Sequence, residues 1–155
     1  MQEQDYNRVL KTAGLKVTLP RIKVLQVLHG SDKKHLSAEE IYKALLEAEE
    51  DVGLATVYRV LTQLENAKLI ERHNFDGGYA VFEINKKGHH DHIVCLKCGH
   101  VTEFYDETIE QQQEYLAKHH GFRLIHHTHA IYGECMDTNC KYHGYGVLNE
   151  NRGIL

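Results

Sequence analysis

The sequence predicts an α+β fold: a winged helix-turn-helix over residues 1–86, followed by a second, ligand-rich domain over residues 87–155. Three observations carry that expectation. Helical periods run in order and end in a hairpin signal, charge segregates between the halves, and metal-ligand side chains crowd the chain after residue 88. Residues 1–87 hold 13 Lys/Arg and 13 Asp/Glu, residues 88–155 only 5 and 9, and nine of the 13 histidines lie between His89 and His129.

The helices follow in order. Residues 3–13 form a short helix ending at Gly14. Thr18, with Pro20 in the first turn, opens "LPRIKVLQVLHG", where Ile22, Leu25, Val27 and Leu28 supply the apolar face and Gly30 stops it. "SAEEIYKALLEAEE" starts with a capping box, Ser37 accepting from the backbone of Glu40 while the Glu40 side chain reaches back; Ile41, Leu45 and Ala48 repeat behind it. In "LATVYRVLTQLENAKLI", Val57, Val60, Leu61 and Leu64 stand at i, i+3, i+4 and i+7. Burying those four turns Thr56, Tyr58, Arg59, Thr62 and Gln63 toward solvent, a face able to contact phosphates, base edges and thymine methyls. Two strand-like runs, 69–74 and 79–84, flank Asp76-Gly77-Gly78, a hairpin signal. Three helices and a hairpin make the winged helix.

Bulk properties narrow the function. Two halves of this size each sit where a core alone is marginal, so a metal staple or an oligomer interface would help. No apolar run approaches the ~18 residues of a membrane span, and "MQEQDYNRVL" lacks the basic-then-apolar pattern of a secretory signal, so a soluble, cytoplasmic protein without membrane partners is expected. The formal charge of −4 does not itself suggest nucleic acid, yet residues 7–29 carry Arg8, Lys11, Lys16, Arg21 and Lys23 with no acid. Such a local basic surface suits phosphate binding.

Two kinds of metal ligand follow. Cys95-x2-Cys98 and Cys135-x4-Cys140 form two short-spaced pairs, and four thiolates around one tetrahedral ion make a closed structural zinc site. In a reducing compartment this is favoured over two disulfides or scattered thiols. The strand-like "HHDHIVCL" alternates side chains, so His90 and His92 point one way and His89 and Asp91 the other, feeding two different sites. Mixed imidazole and carboxylate donors suit Fe(II), Mn(II), Co(II) or Zn(II). His35 and Glu83 in the first half, and Glu103, Glu110, His126, His127 and His129 in the second, are further donors. A solvated histidine-rich surface is the competing explanation.

Taken together, "AGLKVTLPR", "GLATVYRVLTQLE", "RHNFDGG…VFE", "HHDHIVCLKCG" and the late Cys-x4-Cys resemble the ferric uptake regulator family from about residue 8 to 143, most closely its iron-responsive branch. The resemblance implies a metal-activated transcriptional repressor of iron-uptake genes. Its winged helix binds an A/T-rich inverted repeat in double-stranded DNA, and its α/β C-terminal domain assembles a homodimer or higher oligomer. It implies DNA contacts from Thr56, Tyr58 and Arg59 of the recognition helix, from Arg21, and from Lys16 toward the minor groove. It assigns Cys95, Cys98, Cys135 and Cys140 to structural Zn2+. His35, Glu83, His90 and His92, with Glu103 as a fifth ligand, fall to a regulatory Fe2+ site that Mn2+, Co2+ or Zn2+ can also fill. His89, Asp91, Glu110 and His127 fall to an additional site. His100, His126 and His129 receive no role.

The alternative within the family is a zinc-, manganese- or peroxide-responsive regulator. An enzyme is not expected. The chain has no H-E-x-x-H, and the deaminase pattern fails because Val94 precedes Cys95 and the upstream stretch is His-Asp-His. A metal-buffering protein is disfavoured by the complete recognition helix and wing.

Overall fold

The computed structural model describes residues 3–142 apart from Gly77, Lys87 and Thr138; the tail "GYGVLNENRGIL" lies outside the described residues. The chain divides into two compact units, Met1–Lys87 and Gly88–Leu155.

The first unit contains α1 (Glu3–Thr12), α2 (Leu19–Gly30), α3 (Ala38–Glu47), α4 (Leu54–Asn66), β1 (Ile70–Phe75) and β2 (Tyr79–Ile84). Each helix has a local cause. Pro20 sits in the first turn of α2, whose N-cap Thr18 is extended but makes no side-chain cap bond. The capping box of α3 is complete, with Ser37 Oγ accepting from Glu40 N at 3.1 Å and Glu40 Oε2 accepting from Ser37 N at 2.8 Å. All four apolar positions of α4 are buried.

Two details differ from the sequence expectation. On α2 it is Val24 that is fully buried, while Val27 is only partly so, because α1, α3, α4 and β2 all pack around this helix and cover more than one stripe. The helix also includes Gly30 and ends at Ser31. Ala48 is the exposed C-cap of α3 and adds nothing to its core face. The core of this unit joins Leu10, Val24, Leu25, Ile41, Leu45, Val57, Leu61, Leu64 and Ile70.

β1 and β2 form the antiparallel wing in register Ile70↔Ile84 through Phe75↔Tyr79. Its turn closes through Gly78, at φ 80°, a conformation glycine adopts without strain. Leu36 forms an isolated bridge with Phe82, so the segment entering α3 lies along the wing's inner strand. The paired bonds measure 3.1 and 2.8 Å.

The second unit contains β3 (Asp91–Cys95), β4 (Val101–Phe104), α5 (Glu107–His119) and β5 (Ala130–Gly133), with strand order β4-β3-β5. β3 pairs antiparallel with β4 and parallel with β5. A parallel pair needs a crossover, and α5 supplies it. Asp106 caps that helix, accepting from Thr108 N and Ile109 N at 2.9 and 3.1 Å. The apolar interior is thin: Val94, Val101, Cys95 and Cys98 are its buried apolar residues among those described. Ile93, Leu116, Phe122, Ile125 and Ile131 are exposed. No described helix is long and apolar enough to cross a membrane.

Candidate metal centres and nucleic-acid interface

In the second unit, the sulfurs of Cys95, Cys98 and Cys135 lie within 4.8 Å of one another, and Cys140 Sγ is 3.8 Å from Cys98 Sγ. Sulfurs bound to one tetrahedral zinc at about 2.3 Å stand roughly 3.8 Å apart, so this donor set fits zinc. Cys135 N donates to Cys95 Sγ at 3.2 Å. Burial raises the Cys95 thiol, but backbone N–H groups of Cys98, Cys135 and Lys97 outweigh it and bring the pKa down to about 7. Cys135 moves the other way, to about 12, through desolvation and the neighbouring thiols. Cys140 is also shifted down, first by the backbone N–H of Tyr142, whereas burial pushes Cys98 up. Two of the four thiols therefore ionise readily, and the other two resist further negative charge until a cation shares it. The ring of His100 stacks on Tyr142 at 4.0 Å, tying the two cysteine pairs together.

In the first unit, the Leu36–Phe82 bridge sets His35 beside Glu83. His35 Nε2 lies 3.4 Å from Glu83 Oε1, with both side chains almost wholly buried. His73 Nε2 comes within 2.6 Å of the same oxygen. In the wing register Glu71 faces Glu83 and His73 faces Val81, so His73 and Glu83 are diagonal neighbours on one face. The donors of His35, His73 and Glu83 fall within 4.8 Å of one another. Sequence reasoning missed His73. Its signal was the DGG turn, which fixes the register that brings it diagonal to Glu83.

Back in the second unit, His90 and His92 stack edge to face at 4.9 Å. His92 pairs across the sheet with Glu103. His89, Asp91, Glu110 and His127 gather separately, with donors within 4.8 Å of one another. Asp91 is 1% exposed, and neither of its oxygens makes a hydrogen bond; nor do Glu110 Oε1 and His127 Nε2. Buried carboxylate and imidazole atoms arranged in this way fit a divalent cation. His126 is exposed.

On α4, Tyr58 and Arg59 are exposed and Thr56 is partly so. The Tyr58 hydroxyl donates to the carboxylate of Glu39 on α3, and that bond is the main reason its pKa is raised. Lys16 is exposed. Arg21 is half-buried, its Nε and Nη2 donating to Gln63 Oε1 at 3.1 and 2.8 Å while Nη1 donates to the Lys16 carbonyl.

A winged helix-turn-helix joined to a unit that gathers both thiolate and imidazole–carboxylate donors defines a metal-responsive transcription regulator. The chain belongs to the ferric uptake regulator family, whose model matches residues 12–132. A ferric uptake regulation protein of Legionella pneumophila is 63% identical over 131 residues, covering 84% of this chain and 96% of its own. The crystal structure of the Vibrio cholerae ferric uptake regulator matches at TM-score 0.78 and 52% identity, over 83% of this chain and 98% of that one. The Pseudomonas aeruginosa regulator, solved with manganese, matches at TM-score 0.69 and 54% identity, over 85% and 98%.

Proposed function

We propose that this protein is an iron-dependent repressor of iron-uptake genes that binds an A/T-rich inverted repeat as a homodimer. Fe2+ is held by His35, Glu83, His90 and His92, with His73 and Glu103 as further donors; Mn2+, Co2+ or Zn2+ can substitute. Zn2+ at Cys95, Cys98, Cys135 and Cys140 is structural, and His89, Asp91, Glu110 and His127 form an additional site. The observation that carries this reading is the His35–His73–Glu83 set, with His35 and Glu83 buried, because it lies in the unit that carries the recognition helix.

The mechanism is linkage. An ion that takes ligands from His35 and Glu83 as well as from His90 and His92 favours one arrangement of the two units. In a two-fold dimer it thereby sets the spacing of the two α4 helices on DNA. Metal and DNA must then strengthen each other's binding by the same factor. Driving such an equilibrium from mostly open to mostly closed takes about 5.5 kcal/mol of differential binding. Nitrogen and oxygen donors hold ferrous iron more loosely than thiolates hold zinc, so the sensor can empty while the staple stays filled. Thr56, Tyr58 and Arg59 contact the major groove, and Lys16 reaches the minor groove. Arg21 acts through the Lys16 carbonyl it holds. The exposed Ile93, Leu116, Phe122, Ile125 and Ile131 support a homodimer interface. The manganese in the related Pseudomonas aeruginosa structure supports a site open to more than one ion.

The test is a DNA-binding titration on an A/T-rich inverted repeat with Fe(II), Mn(II) and Zn(II) added separately, against a chelated control. Fe(II) should tighten binding most at cytosolic concentrations. His90→Ala should stay folded and lose the metal response, while Cys95→Ser should unfold or monomerise. Equal loss of fold in both variants would remove the division between sensing and structural sites.

A further inference from the structure

We propose that His129 is a fifth protein ligand of the His89–Asp91–Glu110–His127 centre, entering through the second oxygen of Asp91. This rests on the reading that the centre binds a divalent cation. Asp91 presents its two oxygens to different histidines. Oδ1 faces His89 Nε2 at 3.2 Å and His127 Nε2 at 3.9 Å, whereas Oδ2 faces His129 Nδ1 at 3.6 Å. Glu110 closes the ring, 3.3 Å from His89 and 3.5 Å from His127.

The spacings separate ligation from hydrogen bonding. A charge-assisted bond between imidazole and carboxylate closes to about 2.7–2.9 Å, and none of the five separations does so. Donors about 2.0–2.2 Å from a shared ion instead stand roughly 3–4 Å apart. His89, Asp91, Glu110 and His127 offer donors within 4.8 Å of one another, and His129 joins that set through its 3.6 Å approach to Asp91 Oδ2 alone among the described contacts. His129 Nδ1 is buried without a hydrogen bond, as are both Asp91 oxygens, so the imidazole aims a desolvated donor at a desolvated carboxylate. The backbone holds it there: the His129 carbonyl accepts from His92 N at 3.1 Å, just before β5 begins. The edge of its ring stands against Phe104, with centroids 5.9 Å apart. His127 and His129 are two positions apart on the segment that leads into β5.

Three imidazoles and two carboxylates make a five-ligand nitrogen-rich set, with Asp91 available as a chelate. Such a set favours borderline ions (zinc, cobalt, nickel, ferrous iron) over magnesium or calcium.

Cobalt(II) reads coordination number directly, because its visible bands are weak at five or six ligands and intensify at four. The titration uses the full chain carrying zinc in the cysteine cluster and His90→Ala to silence the sensor, and compares otherwise native protein with His129→Leu, His129→Gln and His127→Ala. Both His129 variants should bind cobalt about tenfold or more weakly, and His129→Leu should show intensified visible absorption. Circular dichroism establishes that each variant is folded, and His129→Gln, which keeps a polar side chain, stands in if the leucine variant is not. An unchanged cobalt spectrum in a folded His129 variant overturns the proposal, even if affinity falls, and leaves His129 only positioning Asp91. Unchanged binding and spectrum in His127→Ala would instead overturn the centre itself.

Discussion

Arg21 shows how one side chain expected at a DNA contact also ties elements of the fold together. Its guanidinium grips Gln63 of α4 with two nitrogens and the Lys16 carbonyl with the third. Arg21→Ala should therefore cost about 1–3 kcal/mol in urea denaturation, mainly by leaving half-buried polar groups without their bonds. It should leave the slope of DNA affinity against salt nearly unchanged. Arg59, exposed on the outer face of α4, should behave in the opposite way. Arg59→Ala should leave stability within about 0.5 kcal/mol and reduce the salt slope by about 1. Both residues were legible as basic groups in the right part of the chain. The partner that separates them, Gln63, lies 42 positions from Arg21, beyond any local pattern.

At the scale of elements, what local periods control was legible, and what depends on distant pairing was not. The capping box of α3 and the four buried positions of α4 follow from spacing within one or two turns. Val24 escaped because its burial comes from the several elements packed around α2. His73 escaped because its relation to Glu83 exists only in the wing's register; His129 was legible as a donor, but its place beside Asp91 comes from the fold. Two substitutions measure the legible part. Leu61→Ala, at a fully buried site, should destabilise the winged helix by about 2–5 kcal/mol. Ser37→Ala should remove the α3 cap for about 1 kcal/mol. Thermal or urea unfolding of the two variants checks the ranking, and a Ser37 loss as large as that of Leu61 would contradict the burial pattern.

Among the described residues of the whole molecule, the buried apolar cluster belongs to the first unit, and the second has little beyond Val94, Val101, Cys95 and Cys98. Stripping zinc with a strong chelator should therefore split unfolding into two calorimetric transitions. The second unit should melt first or be unfolded already, and the winged helix should melt later. Ile131, opposite Ile93 across the parallel pair, tests the other support. Ile131→Asp should shift the sedimentation profile toward monomer while leaving the zinc in place. The parallel pairing of β3 with β5 also has a consequence during synthesis. The first unit is complete once residue 87 has left the ribosome, but the cysteine cluster cannot close until Cys140 emerges. At about 5–20 residues per second, that is a delay of several seconds in every newly made chain. With zinc as the metal proposed for that cluster, a cell starved of it would prolong the interval, holding chains whose first unit is finished and whose second is not.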